Sequence, residues 1–166
     1  MVRLIGACII IFACGGIGFS KSAKLQSHLN DLEEVKKIIH FIGSEINYTR
    51  APFSDVFEKV SKKIKNPYQM WLEKLCNKLN DRTSNSFWSI WKESIDENLK
   101  DTYLKQEDLE ELKTLGKNLE YAEGLKLYLE QLDYKIKNIR EEYTAKQKLY
   151  RSLGIMGGVF LVILLL

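Results

Sequence analysis

Residues 25–46, LQSHLNDLEEVKKIIHFIGSEI, carry Leu25, Leu29, Leu32, Val35, Ile38, Ile39, Ile42 and Ile46 at steps mostly of three and four. That spacing lines one face of an α-helix with apolar side chains and leaves Glu33, Glu34, Lys36 and Lys37 on a solvated face. Between the two ends of the chain there is no sustained alternation and no Asn-Gly or Asp-Gly hairpin turn. An all-α fold is therefore expected.

Working outward, the helix should end near Thr49, because Pro52 disfavours helical geometry at Ala51. Pro52 suits the first position of a second helix that carries Phe53, Val56, Phe57, Val60 and Ile64. Asn66 and Pro67 repeat the device as N-cap and first helical residue of a third, with Trp71, Leu72, Leu75 and Leu79. Residues 80–86, NDRTSNS, form a polar loop before a fourth helix with Phe87, Trp88, Trp91 and Ile95 on one side. A fifth opens at Thr102 or Gln106, presents Leu109, Leu112 and Leu115, and ends or bends at Gly116. The last carries Leu125, Leu129, Leu132, Ile136, Ile139 and Tyr143, a heptad-like seam that can pair with the first helix or with another copy. An antiparallel bundle of about six helices buries all these stripes.

Both ends are nearly uncharged. Residues 4–19, LIGACIIIFACGGIGF, lie between Arg3 and Lys21, and residues 153–166, LGIMGGVFLVILLL, close the chain. The first run spans about 24 Å as a helix, slightly under the ~30 Å hydrocarbon core, with the flanking cations able to snorkel. The second reaches roughly 27 Å once residues 149–152 are added. The expected organisation is a transmembrane helix over residues 4–19, a helical domain over 20–148 and a second transmembrane helix over 149–166. The competing reading of the N-terminus is a cleaved signal or lipoprotein box around Cys14 or Cys8. Lys21, Lys24, Lys146, Lys148 and Arg151 flank the spans on the domain side against Arg3 on the other, so the domain should face the cytoplasm.

The balance of 25 basic and 22 acidic residues does not point to nucleic acid, and three cysteines match no disulfide, zinc or redox pattern. Gly15, Gly16 and Gly18 lie inside an apolar run rather than after a strand, so they are no phosphate cradle. His28 and His40, twelve residues apart on one helix, cannot share a metal ion and read as surface or boundary residues. Cys76 reads as a small buried apolar residue. Trp71, Trp88 and Trp91 read as core. No enzyme and no cofactor are expected. Glu45 falls within the apolar stripe of the first helix and needs a donor, either Arg50, Tyr48 or a backbone N–H of the next helix. In the last segment Gly154, Gly157 and Gly158 form a close-packing helix motif, matched in the first by the small residues Ala7, Cys14 and Gly18.

Several ordered pieces together resemble one family over essentially the whole chain. They are the Leu4-Ile5-Gly6-Ala7 start with Gly18-Phe19, then Glu45-Ile46-Asn47-Tyr48 followed by Pro52. Glu107-Asp108-Leu109 and Leu115-Gly116-Lys117 come next, and Tyr150-Arg151-Ser152-Leu153-Gly154 with Gly157-Gly158 closes the set. The chain resembles the stage III sporulation protein AB family of endospore-forming bacteria. Ala51 stands where that family usually has Thr. The resemblance implies a cytoplasmic helical domain similar to that of type II secretion and type IV pilus platform proteins. It implies a place at the cell membrane, on the mother-cell side, in the channel complex between mother cell and forespore. The partners it implies are a secretion-type ATPase, stage III sporulation protein AA, and other channel-complex membrane proteins. Glu45, Tyr48, Pro52, Gly116 and Arg151 are the motif residues it offers as partner contacts. From the residues alone, the rival function is a membrane-anchored coiled-coil adaptor of division or envelope assembly that forms a homo-oligomer through the seam from Leu125 to Tyr143.

Overall fold

The computed structural model describes the backbone of residues 2–49, 51–81, 86–119 and 121–165. Side chains are described for residues 23–48, 51–81, 86–119, 121, 123–149, 152 and 156. Among these the chain is all-helical: α1 (Val2–Thr49), α2 (Phe53–Ser61), α3 (Tyr68–Asn80), α4 (Phe87–Asn98), α5 (Gln106–Leu115) and α6 (Ala122–Leu165). Two compact units divide it, one formed by Asn30–Ile136 and the other by Met1–Leu29 with Lys137–Leu166.

Within the first unit, α1 and α6 run antiparallel. A Cβ on Gly43 would stand 3.5 Å from Leu125 Cδ1, and two turns earlier on α1 the Lys36 ammonium meets Asp133. The four short helices pack in chain order, α2 on α3, α3 on α4 and α4 on α5. The stripe on α1 is buried as its spacing demands, with Leu32, Ile38, Ile39 and Ile42 fully enclosed. Burying such side chains contributes about 1.5–3 kcal/mol each. From α6, Leu125, Tyr128, Leu132 and Ile136 join the same core. Leu125, Leu132 and Ile136 of the proposed dimer seam are thus buried inside one chain, while Leu129, Ile139 and Tyr143 are half-buried.

The helix starts shift by one residue from the sequence reading. Pro52 is the N-cap of α2, not its first residue, with extended geometry at φ −55° and ψ 148°. Neither it nor Ala51 offers a capping side chain, and the backbone carbonyl of Pro52 takes the N–H groups of Asp55 and Val56 instead. Pro67 rather than Asn66 is the N-cap of α3, again without a side-chain cap. Ile64 lies in the turn after α2 yet is buried. The start of α4 has a side-chain cap that the sequence reading left inside the polar loop: Ser86 Oγ accepts the N–H of Ser89 at 3.3 Å.

Among the described residues no helix is long and apolar enough to cross a membrane. The runs at residues 4–19 and 153–166, which carry the two expected spans, lie outside the described side chains apart from Met156.

Candidate functional site

Of the motif residues whose side chains are described, Gly116, Glu45 and Asp108 lie at structural junctions. Leu115-Gly116-Lys117 closes α5 against Trp91, which is fully buried on α4. Helix α5 tightens at its end: the N–H of Gly116 turns to Lys113 O and that of Lys117 to Thr114 O. The Leu112 carbonyl is thereby released, and the Trp91 indole N–H donates to it at 2.9 Å. An orphan carbonyl of a helix end is satisfied by a large aromatic side chain, which fills the core at the same time. Phe57, Phe87 and Trp71 surround the indole with ring centroids at 5.9, 6.0 and 5.2 Å.

Gly116 itself has ordinary helical geometry, φ −56° and ψ −24°. Its reason is space, not a left-handed turn. A Cβ there would stand 2.2 Å from Trp91 Cδ1 and 2.7 Å from Nε1.

Trp88 corrects the expectation of three core tryptophans. One turn before Trp91, it lies at the edge of the buried stripe of α4 and is 37% exposed. Two lysines cover its ring, Lys117 at 4.9 Å and Lys92 at 5.6 Å from the centroid. Trp71 and Trp91 are core residues, 1% and 0% exposed.

Glu45 is held by Lys59 and Lys63, each at 3.4 Å. Those are not the donors the sequence suggested. Tyr48 points to solvent at 93% exposure, and Arg50 lies outside the described residues. Because the carboxylate is partly exposed, the pairs contribute only about 0–1 kcal/mol; their effect is to fix α2 beside the end of α1. Pro52 is exposed.

Asp108, from the Glu107-Asp108-Leu109 piece, is the junction residue the sequence reading passed over. It is 3% exposed. One carboxylate oxygen accepts the Lys105 N–H at 2.8 Å, closing the first turn of α5. The other takes the Lys135 ammonium of α6 at 2.7 Å, and Lys135 also reaches Glu111 at 2.9 Å. The acid at the third position of a helix is a visible signal; its partner, 27 residues on, is not.

Burial opposes the charge on Lys135, but the hydrogen bonds it donates to Asp108 and Glu111 overcome that and hold its pKa above the ordinary lysine value. Hydrogen bonds to Asp96 and Glu110 raise Lys113 likewise. Burial pushes the Tyr68 and Tyr128 hydroxyls well above their usual 10.0. All four groups keep their protons longer in the folded than in the unfolded chain, so their contribution is complete below about pH 10 and is lost as pH rises beyond it. Melting temperature measured from pH 8 to 11.5 should be flat at first and fall above pH 10. A decline that begins below pH 9 would contradict this assignment.

Cys76 is buried, as expected. Its Sγ donates to Ser54 O at 3.4 Å and accepts from Asn80 at 3.7 Å. Burial raises the thiol pKa, which disfavours the thiolate that nucleophilic chemistry needs. His28 departs from expectation: it is buried, 5% exposed, because it lies one turn from Leu32 on the apolar face of α1. His40 is exposed and edges the Phe41 ring. Among the described residues no three His, Cys, Asp or Glu side chains are grouped to hold a metal ion. Ala7, Cys14, Gly18, Arg151, Gly154, Gly157 and Gly158 lie outside the described side chains.

Two long helices, antiparallel within the core unit, and four short ones packed in chain order define an all-α helical module. The chain belongs to the stage III sporulation protein AB family, whose match covers residues 3–166. It is 23% identical over 172 residues to stage III sporulation protein AB of Bacillus subtilis (strain 168), with all of both chains covered. A solved structure of stage III sporulation protein AB has the same fold at a TM-score of 0.64 and 18% identity, covering 71% of this chain and 97% of that one. The family is one of sporulation proteins, named for that process rather than for a reaction.

Proposed function

We propose that this chain is a non-enzymatic membrane platform of the channel complex between mother cell and forespore, docking a secretion-type ATPase at the cell membrane. The observation that carries the reading is the antiparallel register of α1 and α6, Gly43 beside Leu125 and Lys36 beside Asp133. By sequence, α1 (Val2–Thr49) and α6 (Ala122–Leu165) each also contain one of the two apolar runs, residues 4–19 and 149–164. Each run would then serve as a membrane anchor on a helix that also contributes to the core. A displacement of the domain by an ATPase would act on the anchors through α1 and α6. The basic flank of Lys21, Lys24, Lys146, Lys148 and Arg151 supports a cytoplasmic domain.

The test has two arms. A cysteine at the exposed Asn77, in a chain otherwise free of cysteine, should resist a membrane-impermeant thiol reagent in intact cells and react after lysis. The same cells should yield stage III sporulation protein AA with the tagged chain. Labelling in intact cells would sink the cytoplasmic docking. Replacing Gly154 and Gly158 together with leucine keeps the segment apolar but forbids close helix approach. That variant should reach the membrane and fail to assemble; normal assembly and sporulation would remove the glycine motif from the interface.

A further inference from the structure

Between α5 and the start of α6 lies an open cavity of about 400 Å³. Its apolar surface comes from Leu115, Tyr128 and Leu127, and its charged lining from Glu110 and Glu111. Gly124 also lines it, packed so closely that a Cβ there would stand 3.0 Å from Asn118 Cβ and 3.2 Å from Asn118 O. Leu115 and Tyr128 are buried, whereas Leu127 is 56% exposed. Two turns on, along the same side of α6, Tyr134 is 70% exposed. Leu127 at the cavity mouth and Tyr134 beyond it are thus exposed apolar side chains on this side of α6, with the polar Glu130 and Gln131 between them.

The charges around it are sorted by depth. Glu110 and Glu111 each hold a lysine, but the cations sit inward and the carboxylates outward. The Lys113 side chain is 7% exposed and that of Lys135 24%, against 57% for Glu110 and 46% for Glu111. Glu107, one turn earlier on α5, adds a third carboxylate at 61% exposure, paired at 3.6 Å with Lys105, which is about equally exposed. What an approaching molecule meets is an apolar slot rimmed on the α5 side by acids.

We infer that this groove is the docking site for a basic amphipathic helix of a partner protein, which inserts an aliphatic or aromatic side chain between α5 and α6 and sets lysines or arginines against Glu107, Glu110 and Glu111. The volume suits one large side chain and part of its neighbour, and anchoring by residues at helical spacing is a recurrent mode of helix recognition. The acidic rim disfavours anionic lipid headgroups. The lysine-rich stretch at residues 59–65 of a second copy has Val60 and Ile64 already buried, so it has no apolar anchor to offer. The inference goes beyond the ATPase-docking reading and does not depend on it.

The experiment uses the full chain in its native membrane, with benzoylphenylalanine placed in turn at Thr114 and Gln131 on the groove and at Asn77 on α3. Photolysis should link both groove positions to one segment of another protein, with net positive charge and apolar residues at helical spacing, and Asn77 should give no such adduct. Thr114→Lys and Leu127→Asp, both at exposed positions, should each lower the adduct yield about tenfold or more, with unchanged melting and circular dichroism. Adducts to lipid, to a second copy or to an acidic segment, or no adduct at all, would overturn the proposal, as would variants that cross-link like the parent. Co-purification of the ATPase is scored separately. Its loss with the adduct intact counts against the docking reading alone, and the reverse against the groove alone.

Discussion

Trp91→Ala should unfold the helical core or loosen it severely. Truncating a buried tryptophan costs about 3–5 kcal/mol, comparable with the whole stability of a small domain. Here the loss includes the ring contacts with Phe57, Phe87 and Trp71 and strands the Leu112 carbonyl without its indole donor. Urea unfolding of the chain in detergent, followed by near-ultraviolet circular dichroism, reads the effect directly. Gly116→Ala should lose about 1–3 kcal/mol by overpacking, because the new methyl strikes the five-membered ring of a side chain that has no room to retreat. Combined with Trp91→Leu, which removes those ring atoms, the glycine penalty should shrink, giving a coupling of about 0.5–3 kcal/mol. Additive effects would mean that Gly116 is there for another reason. A well-folded Trp91→Ala chain that loses only a partner would turn this residue from a core pin into a recognition residue.

Asp108→Ala should be the next most damaging change among the junction residues. It removes the acceptor for the Lys105 N–H and half the acidic surroundings of Lys135. Loss of a helix-start acceptor costs about 1 kcal/mol, and breaking a buried ion pair about 3–5 kcal/mol. Lys135 is partly exposed and keeps Glu111, so the total should fall near 3 kcal/mol. Asp108→Asn should recover part of it, since the amide oxygen can still accept from Lys105. Denaturant midpoints of the two variants decide the matter: an alanine variant within about 0.5 kcal/mol of the parent would show that the pair contributes nothing to the fold.

The helices themselves needed no tertiary information. The stripe from Leu32 to Ile42, the leucines of α5 and the pairing of Leu125, Leu132 and Ile136 were readable because apolar spacing fixes an angle around the helix axis, and that angle is a local property. Cys76 and the core positions of Trp71 and Trp91 followed for the same reason. The motif set was also enough to indicate the family, since its ordered pieces run from one end of the chain to the other.

What the angle does not reveal is which neighbour arrives there. Glu45 meets Lys59 and Lys63, which lie 14 and 18 residues away, rather than the nearby Tyr48. Asp108 finds Lys135 across 27 residues. Trp88 and Trp91 share a helix and a residue type, yet one faces two lysines and the other a carbonyl and three rings. His28 is buried although it is itself polar, because the apolar face of α1 carries it inward. Gly116 was legible as a helix end, but its necessity comes from an indole on another helix that occupies the place of its missing Cβ. The stripes were decided by local periodicity; the partners, the space left for a glycine and the groove between α5 and α6 were decided by how separate helices meet, which depends on side-chain shape and charge brought together only when the chain has folded.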